Sequence, residues 1–268
     1  MDSTYRFEQL LNDLNRLDPQ DYTAVVPLAV GVNSVLNPAD CLENCQRQIQ
    51  FITFELQQDC KGLDGFARWE VLRNYFYTKK EFSYESNLWL KQILQNRSGH
   101  PLALGFLLVY FANQVGISLQ LIQARHHYIV RLTMDNSTSY FDLLNHGHAM
   151  SDDDLVKALH RSASNLEAWN ARQLLIGYLE EMSRQFEMNE DWERLLKVYD
   201  LYLQLDENCT SVIGLRGLLR HKLGLHREAL TDLKRYFSFV EKNRAPIEIQ
   251  MALQDLEGTK PQLRVTLH

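Results

Sequence analysis

The sequence lacks the cysteine pairs that form disulfide frameworks and zinc sites. Its four cysteines, Cys41, Cys45, Cys60 and Cys209, are scattered, and none belongs to a CxxC pair. We therefore expect free thiols in a reducing cytoplasm. Cys41 and Cys45 lie one helical turn apart and could hold a metal, although such cysteines are more commonly small core residues. We expect neither a metal nor a cofactor.

Long hydrophobic runs and export signals are also missing. The longest nearly apolar run, Pro101 to Ala112, is shorter than the roughly 18–20 residues that cross a bilayer. The residues before Leu14 mix charged and apolar side chains and do not form the regions of a secretion signal. We expect a buried helix in place of a membrane anchor, and no membrane partner.

Neither sign of charge dominates the chain. It has 28 Lys and Arg residues against 34 Asp and Glu, a net charge of −6, and the two signs are well mixed. Without a basic tract, we expect no nucleic-acid partner. Hydrophobic residues make up 45% of the 268 positions, which is enough for one large or two modest globular domains.

Helical periodicity dominates the chain up to about residue 75. The segment Asn37–Asp40 predicts a helix entry with Pro38 in the first turn. Apolar residues at three- and four-residue spacing follow it and share one helix face, namely Leu42, Ile49, Ile52 and Leu56. Gly62 and Gly65 then separate this helix from another.

A short helix, a buried helix and three strands are predicted in the middle of the chain. The short helix ends near Arg97, and the apolar helix runs from Pro101 to Gly116. Three segments rich in apolar and β-branched residues then predict an antiparallel sheet, namely Ser118–Gln123, Tyr128–Met134 and Ser139–Leu143.

After Ser151 the pattern is helical again and contains an internal repeat. A shift of 34 residues, the tetratricopeptide period, pairs apolar positions on one helix face: Leu196 with Leu230, Tyr199 with Leu233, Tyr202 with Tyr236 and Leu203 with Phe237. Gly224 and Ala229 occupy the turn and small-residue positions of such a repeat, whereas the earlier copy has Glu190 and Leu195 there. The pattern predicts two imperfect repeats.

Several motifs, taken in order, resemble the bacterial SirB-type family. They are Asn87 with Leu90, Asn96–Leu102, Gly116-Ile117, His127–Arg131 and Phe141-Asp142. The resemblance implies an α+β fold, with a transglutaminase- or papain-like domain of helices packed on a small antiparallel sheet, followed by an all-α tetratricopeptide-like domain. We expect the first domain over residues 1–160, with a helical part to about 75, the repeats over 161–258 and a tail over 259–268. His126 and Leu143 stand where this family usually has Gly and Pro.

The same resemblance implies a catalytic layout without its nucleophile. Enzymes with this fold place a Cys at the start of the helix, a His on the next strand and an Asp on the following strand. Pro101 stands at the Cys position, and Ala103 replaces a usual hydroxyl residue. Proline suits the first turn of a helix, but it cannot form a thiolate. Folding could bring Cys60 or Cys41 close instead.

The remaining residues of this layout have two interpretations. His127 and Asp142 could form a polar pair that only stabilises the sheet, or they could line a ligand pocket in which His127 activates water. The candidate cleft-lining residues are Arg97, His100, Pro101, Arg125 and His126, of which the arginines could clamp a carboxylate. His100, His126, His127, His146 and His148 could also converge on a metal, although their spacing is not a known ligand signature.

The repeats carry the better functional signal. Their candidate partner-binding residues are Trp192, Tyr199, Tyr202 and Tyr236, although aromatic residues of this kind also pack between helices. We therefore predict a non-catalytic protein-binding or regulatory adaptor that holds a protein or peptide partner through its repeats. The alternative is a hydrolase or acyl transferase that acts on amide bonds with His127 and Asp142.

Overall fold

The computed structural model describes residues 3–38, 42–124, 127–134, 137–159 and 167–258. The chain divides into two compact units, Met1–Glu181 and Met182–His268. None of the helices among the described residues has the length and apolar character that crossing a bilayer requires.

Helices make up most of the first unit. They are α1 Ser3–Asn15, α2 Val25–Leu36, α3 Leu42–Asp59, α4 Gly65–Asn74, α5 Leu90–Asn96, α6 Pro101–Gln114, α7 Asp152–Leu159 and α8 Ala171–Met188, which crosses the boundary between the units. A π-helical turn, Tyr75–Lys79, extends α4. Part of the expected entry to α3, residues 39 and 40, lies outside the described residues.

Helix α6 is the buried helix that the apolar run predicts. Every residue from Leu102 to Val109 is buried, because a helix that is apolar on all sides must be covered all round. Pro101 occupies the first turn, and Gly116 ends the segment with a φ of +75°. Gly105 lets the sheet come close, since a Cβ there would lie 3.1 Å from Leu121 and Leu143.

Four antiparallel strands follow α6 in sequential order: β3 Leu119–Ala124, β4 His127–Met134, β5 Ser137–Asp142 and β6 His148–Ala149. The first three confirm the strands predicted from sequence to within two residues. Two short segments, β1 Ser83–Tyr84 and β2 Ser98–Gly99, form a separate parallel pair that was not predicted. Ile122 and Ile129 pack against Leu155 of α7, so that helix covers part of the sheet.

The first unit extends past residue 160, where the sequence suggested the domain boundary. Three hydrogen bonds hold the start of α8 and the residues before it within this unit. The Ala171 N–H donates to the Pro19 carbonyl, the Trp169 N–H donates to the Leu121 carbonyl, and the buried Tyr178 hydroxyl donates to the Leu88 carbonyl. The first part of α8 therefore belongs to the first unit, although the sequence placed it in the second domain.

The second unit is helical throughout its described residues. Its helices are α9 Trp192–Leu205, α10 Thr210–Lys222, α11 His226–Phe239 and α12 Ile247–Gly258. Helix α11 begins and ends 34 residues after α9.

Four charged side chains connect α9, α10 and α11. Arg216 donates two hydrogen bonds to Asp232, at 2.7 and 2.9 Å, and one to Asp200 at 2.8 Å. Arg220 also contacts both carboxylates, at 2.7 and 3.2 Å. The side chain of Asp232 is only 3% exposed, so these ion pairs are inside the helical unit and are not surface contacts.

Candidate functional site

The start of α6 has no nucleophile. Pro101 is the first residue of the helix, and His100 precedes it as the N-cap. The Nδ1 atom of His100 accepts a hydrogen bond from the Leu102 N–H at 3.3 Å, which satisfies one of the free donors at a helix start. Ala103 lies two residues after Pro101 and is buried. Neither Pro101 nor Ala103 can attack a carbonyl carbon.

His100 is held in place by its surroundings. The backbone N–H of His100 donates to the Asn87 carbonyl at 2.7 Å. The ring atom Nε2 lies 3.8 Å from a carboxylate oxygen of Glu181. The ring of Tyr128, on β4, meets the His100 ring edge-on with 6.1 Å between centroids. Tyr128 is only 6% exposed. The first described side chain of β4 is therefore a buried aromatic ring beside the start of α6.

The backbone of the histidine in the expected layout begins strand β4. His127 is the first residue of β4, paired through its backbone with Ala124, but its side chain lies outside what the structure describes, as do Arg125 and His126 altogether. The strand register sets Asp142 opposite Ile129, two residues along from His127. Such diagonal positions on neighbouring strands lie about 7–8 Å apart between Cα atoms.

Asp142 is described fully and already has a structural role. One carboxylate oxygen accepts a hydrogen bond from the Leu144 N–H at 2.9 Å and so caps the short 3-10 turn Leu143–Asn145. The residue directly opposite Asp142 on β6 is His148. Directly paired residues have Cβ atoms about 4.5–5.5 Å apart. The structure therefore gives Asp142 a neighbouring histidine that the sequence motifs did not single out.

The hydrogen bond of His148 fixes its tautomer. The Nδ1 atom lies 2.5 Å from the Asn145 carbonyl oxygen, and a carbonyl oxygen can only accept, so Nδ1 carries the proton. In the neutral imidazole, Nε2 is then the basic nitrogen. His148 appeared in the sequence only as one of five histidines, because its pairing with Asp142 depends on how the turn between β5 and β6 closes.

Asp142 and His148 line a cavity of about 370 Å³ beside α7. Asp154 and Lys157 of that helix contribute further polar groups. The Ser151 hydroxyl and N–H hydrogen-bond to Asp154 and hold the pKa of its carboxyl below the usual range. This cavity can bind a polar ligand, and an imidazole near a carboxylate can act as a general base toward water. Its lining residues include no Ser, Thr or Cys.

Two tyrosines pack on the turn next to Asp142. The hydroxyls of Tyr77 and Tyr84 lie 3.0 Å apart in a hydrogen bond, and the Leu143 carbonyl lies beside them as an acceptor. Burial raises the pKa of Tyr77 to about 12, although its hydrogen bond with Tyr84 lowers it, and the charge of Asp142 adds to the rise. Burial likewise raises the pKa of Tyr84. Both phenols are therefore neutral hydrogen-bond donors near neutral pH.

The raised pKa of Tyr77 predicts a loss of stability at alkaline pH. An unfolded tyrosine has a pKa of about 10. Its folded pKa is higher, so the stabilisation is fully present below pH 10 and falls as the pH rises toward 12. We expect Tyr77→Phe to show a shallower decline of the urea midpoint over this interval than the wild type. Parallel curves for the two proteins would contradict the assignment.

Comparison with known proteins identifies the family. The sequence model of the transglutaminase-like superfamily matches residues 43–186, which is more than half of the chain. The chain belongs to the transglutaminase-like superfamily. It is similar to a UPF0162 protein of Xylella fastidiosa, strain Temecula1, at 25% identity over 193 residues, covering 68% of this chain and 69% of that protein.

Other relatives of this transglutaminase-like protein align over nearly all of it. A UPF0162 protein of Vibrio cholerae is 23% identical over 273 residues, covering 95% of this chain and the whole of that protein. F-box only protein 21 of Pongo abelii is 20% identical over 309 residues, covering 97% of this chain and 50% of that longer protein. No solved structure is significantly similar to the chain.

Cys60 does not supply a thiol at the start of α6 in this transglutaminase-like unit. Cys60 is buried, and burial raises the pKa of its thiol. It contacts the carbonyl of Arg68, whose guanidinium donates to the Val115 carbonyl just past α6. These contacts put Cys60 near the C-terminal end of α6. Pro101 lies at the other end of this helix, about 20 Å away. The suggestion that Cys60 approaches Pro101 is therefore wrong, and Cys41 lies outside the described residues.

Metal-binding groups are likewise not assembled in the described part of this chain. No three described His, Cys, Asp or Glu side chains there lie close enough together to hold an ion. His146 stacks on Tyr77 with 5.6 Å between ring centroids, whereas His148 bonds to Asn145. The two described histidines of this turn therefore have separate protein contacts.

The aromatic candidates of the second unit are mostly interior. Tyr199, Tyr202 and Tyr236 are only 6–8% exposed, so they pack in the protein and do not line an open groove as expected. Gly214 shows how closely the ring of Tyr236 packs, since a Cβ there would lie 2.8 Å from that ring. Trp192 is partly exposed, with the Lys222 ammonium 3.3 Å from its ring centroid. An aromatic pattern alone could not separate packing from binding.

Proposed function

We propose that this chain is a non-catalytic protein-binding adaptor, whose transglutaminase-like unit does not perform thiol chemistry and whose helical unit holds a protein or peptide partner. The observation that carries the proposal is Pro101 at the first position of α6. A transglutaminase-like enzyme needs a thiol there, and the imide nitrogen of proline offers neither a nucleophile nor a proton.

The environment of α6 supports the loss of that chemistry. The carboxylate of Asp142 caps a turn, the phenols of Tyr77 and Tyr84 pack on the same turn, and His100 caps the helix. Each of these groups has a structural contact. Their arrangement stabilises the fold without requiring a substrate.

The helical unit is proposed to consist of tetratricopeptide-like repeats of the SirB type. The 34-residue offset between α9 and α11 supports this assignment. So does Gly217 of α10, where a Cβ would lie 2.7 Å from Leu233 of α11, because helix pairs of such repeats pack closely through small residues. Arrays of this kind bind partners along their exposed surfaces.

Helix α12 has the exposed apolar side chains that such binding needs. Ile247 and Met251 lie one turn apart and are 60% and 56% exposed. Residues separated by four positions share a helix face. We place the partner contact on this face, in place of the buried tyrosines.

The double variant Ile247→Glu, Met251→Glu is expected to weaken partner binding at least about tenfold, since hot-spot losses commonly exceed 1.4 kcal/mol. Partners would first be captured by crosslinking and then tested as purified proteins by calorimetry. The charge-matched control is Phe66→Glu, Val156→Glu, which changes two exposed apolar residues of the first unit. Loss of binding only in the control would contradict the proposal.

One observation favours the rival function, a hydrolase that acts on amide bonds with His127 and Asp142. Asp142 and His148 together line a cavity, and an imidazole can activate water without a protein nucleophile. The test is amide hydrolysis by the wild type, by Asp142→Asn and by Val156→Glu as a control that is folded to the same extent. Activity that disappears in Asp142→Asn but persists in Val156→Glu would support the hydrolase in place of the adaptor.

A further inference from the structure

A second depression on the first unit has the composition of a recognition site. It has a volume of about 270 Å³ and lies between α3, the π-helical turn and α5. Its apolar lining comes from Phe51, Ile52, Phe82 and Leu94. Phe51 is 60% exposed, which is costly for an aromatic side chain that nothing covers.

The charged lining of this groove is entirely basic. Arg47, Lys80 and Arg97 contribute to it, and none of its lining side chains, all of them described, is acidic. Arg47 pairs with Glu43, but both side chains are more than 70% exposed, so this pair is weak and easily exchanged. Lys80 pairs with Glu55 at 3.1 Å. Within the described part of the chain, Arg97 forms no ion pair.

Arg97 ends α5 in a conformation that is unusual for its residue type. Its φ of +58° and ψ of +33° are left-handed, a conformation usually taken by glycine after a helix because other residues lose about 1–2 kcal/mol there. An arginine at this position brings a guanidinium to the groove at a conformational cost. Such outliers concentrate at binding sites. From the sequence, Arg97 could clamp a carboxylate or pair with local acids, and in the structure it lines this groove, whereas His100 and Pro101 do not.

Gln48 adds an unsatisfied acceptor. Its side-chain oxygen is buried and has no hydrogen-bond partner among the described residues, and Gln48 also lines the groove. A buried polar atom without a partner costs about 1–3 kcal/mol. If the Gln48 side chain turns into the groove, a ligand that supplies an N–H donor removes this cost.

We propose that this groove binds an acidic peptide segment. An apolar side chain of the peptide fills the space beside Phe51 and Phe82, an adjacent carboxylate pairs with Arg97, and a peptide N–H donates to Gln48. Arg–carboxylate pairs are among the stronger charge-assisted hydrogen bonds. This inference goes beyond the proposed adaptor function and does not depend on the helical unit.

The surroundings favour a peptide over smaller or more highly charged ligands. Phe54, one turn after Phe51, is 59% exposed, so apolar surface continues past the groove and fits a chain longer than one side chain. A nucleic acid is disfavoured because Glu55 partly neutralises Lys80 and the whole chain carries a charge of −6. Phosphate backbones require more unpaired cations than this groove offers.

The test uses two short fluorescein-labelled peptides with Leu and Phe at the same positions. The remaining positions are Asp and Glu in the acidic peptide and Lys in the basic peptide. Fluorescence anisotropy with the full chain should show the acidic peptide binding at least about tenfold more tightly, with affinity falling as salt rises. We expect Arg97→Gln and Phe51→Ser each to weaken binding about fivefold or more. Arg244→Gln, at an exposed arginine of the second unit, should leave it unchanged.

Three outcomes would overturn the proposal. They are equal affinity for the two peptides, unchanged affinity in Arg97→Gln, and tighter binding of an oligothymidylate or of phenylpropionate than of the acidic peptide. The Ile247→Glu, Met251→Glu protein serves as a second control, because it should bind the acidic peptide normally. Failure of the groove is thereby distinguished from failure of the adaptor proposal.

Discussion

The Asp232→Ala variant is expected to lower the free energy of unfolding of the second unit by about 3–5 kcal/mol, the usual cost of removing one partner from a buried ion pair. Asp232 accepts three hydrogen bonds, two from Arg216 and one from Arg220. Those guanidinium groups are only 14% and 18% exposed. Without Asp232, two positive charges would share the single carboxylate of Asp200.

The second unit can be followed separately because it contains only one of the four tryptophans, Trp192. Urea unfolding of fluorotryptophan-labelled protein, observed by ¹⁹F NMR, would report the transition at Trp192, with its resonance assigned through Trp192→Phe. The control is Glu257→Ala, which removes an exposed carboxylate of α12. It should change the stability by no more than about 0.5 kcal/mol.

A double replacement separates the attraction within the cluster from the cost of burying charge. Arg216→Met with Asp232→Leu removes one cation and one anion together and leaves Arg220 paired with Asp200 at 3.2 Å. Apolar replacement of a buried pair is often neutral or stabilising, so this protein should be more stable than Asp232→Ala. If both proteins were equally unstable, lost packing would explain the effect better than the uncompensated charge.

The sequence predicted those elements whose cause is local. Helix α6 could be located because its apolar run is uninterrupted and is bounded by Pro101 and Gly116, two residues with defined roles at helix ends. Strands β3, β4 and β5 have the β-branched composition that predicts strands. By contrast, β1, β2 and β6 are two residues each, too short to produce a periodic signal.

The site was less predictable because its contacts join distant residues. The position of Pro101 at the first turn of α6 could be inferred from sequence, since it is counted along one helix. The pairing of His148 with Asp142 could not be inferred from sequence. It depends on a turn in which His146 takes a left-handed φ of +52°. The groove of Arg97 brings together residues from 47 to 97, and no motif spacing predicts such an assembly.

The domain boundary shows the same limit. Residues 171–181 have helical periodicity like the helices after them, so a sequence pattern cannot tell in which unit they pack. The boundary depends instead on Tyr178, which is fully buried in the first unit and hydrogen-bonds to Asn33 and Leu88. Those contacts span 145 and 90 residues of sequence.

Asn33→Ala is therefore expected to destabilise the first unit by about 2–4 kcal/mol, because it leaves buried groups without hydrogen bonds. The Asn33 carboxamide is buried, its oxygen accepts from the Leu90 N–H at 2.9 Å, and its nitrogen donates to the Tyr178 hydroxyl at 2.8 Å. One side chain thus connects α2 to α5 and α8. The loss would be measured by urea unfolding at the tryptophans of the first unit.

The neighbouring Ser34→Ala supplies the matched control. Ser34 is also buried, but its hydroxyl bonds only to the Gly31 carbonyl within α2, so its loss should cost no more than about 1 kcal/mol. Hydrogen exchange adds a residue-specific readout, since the Leu90 amide should exchange faster in Asn33→Ala and not in Ser34→Ala. Tyr178→Phe combined with Asn33→Ala should cost less than the two single changes added together, because each removes part of the same network. Additive losses would mean that Asn33 stabilises the unit by packing alone.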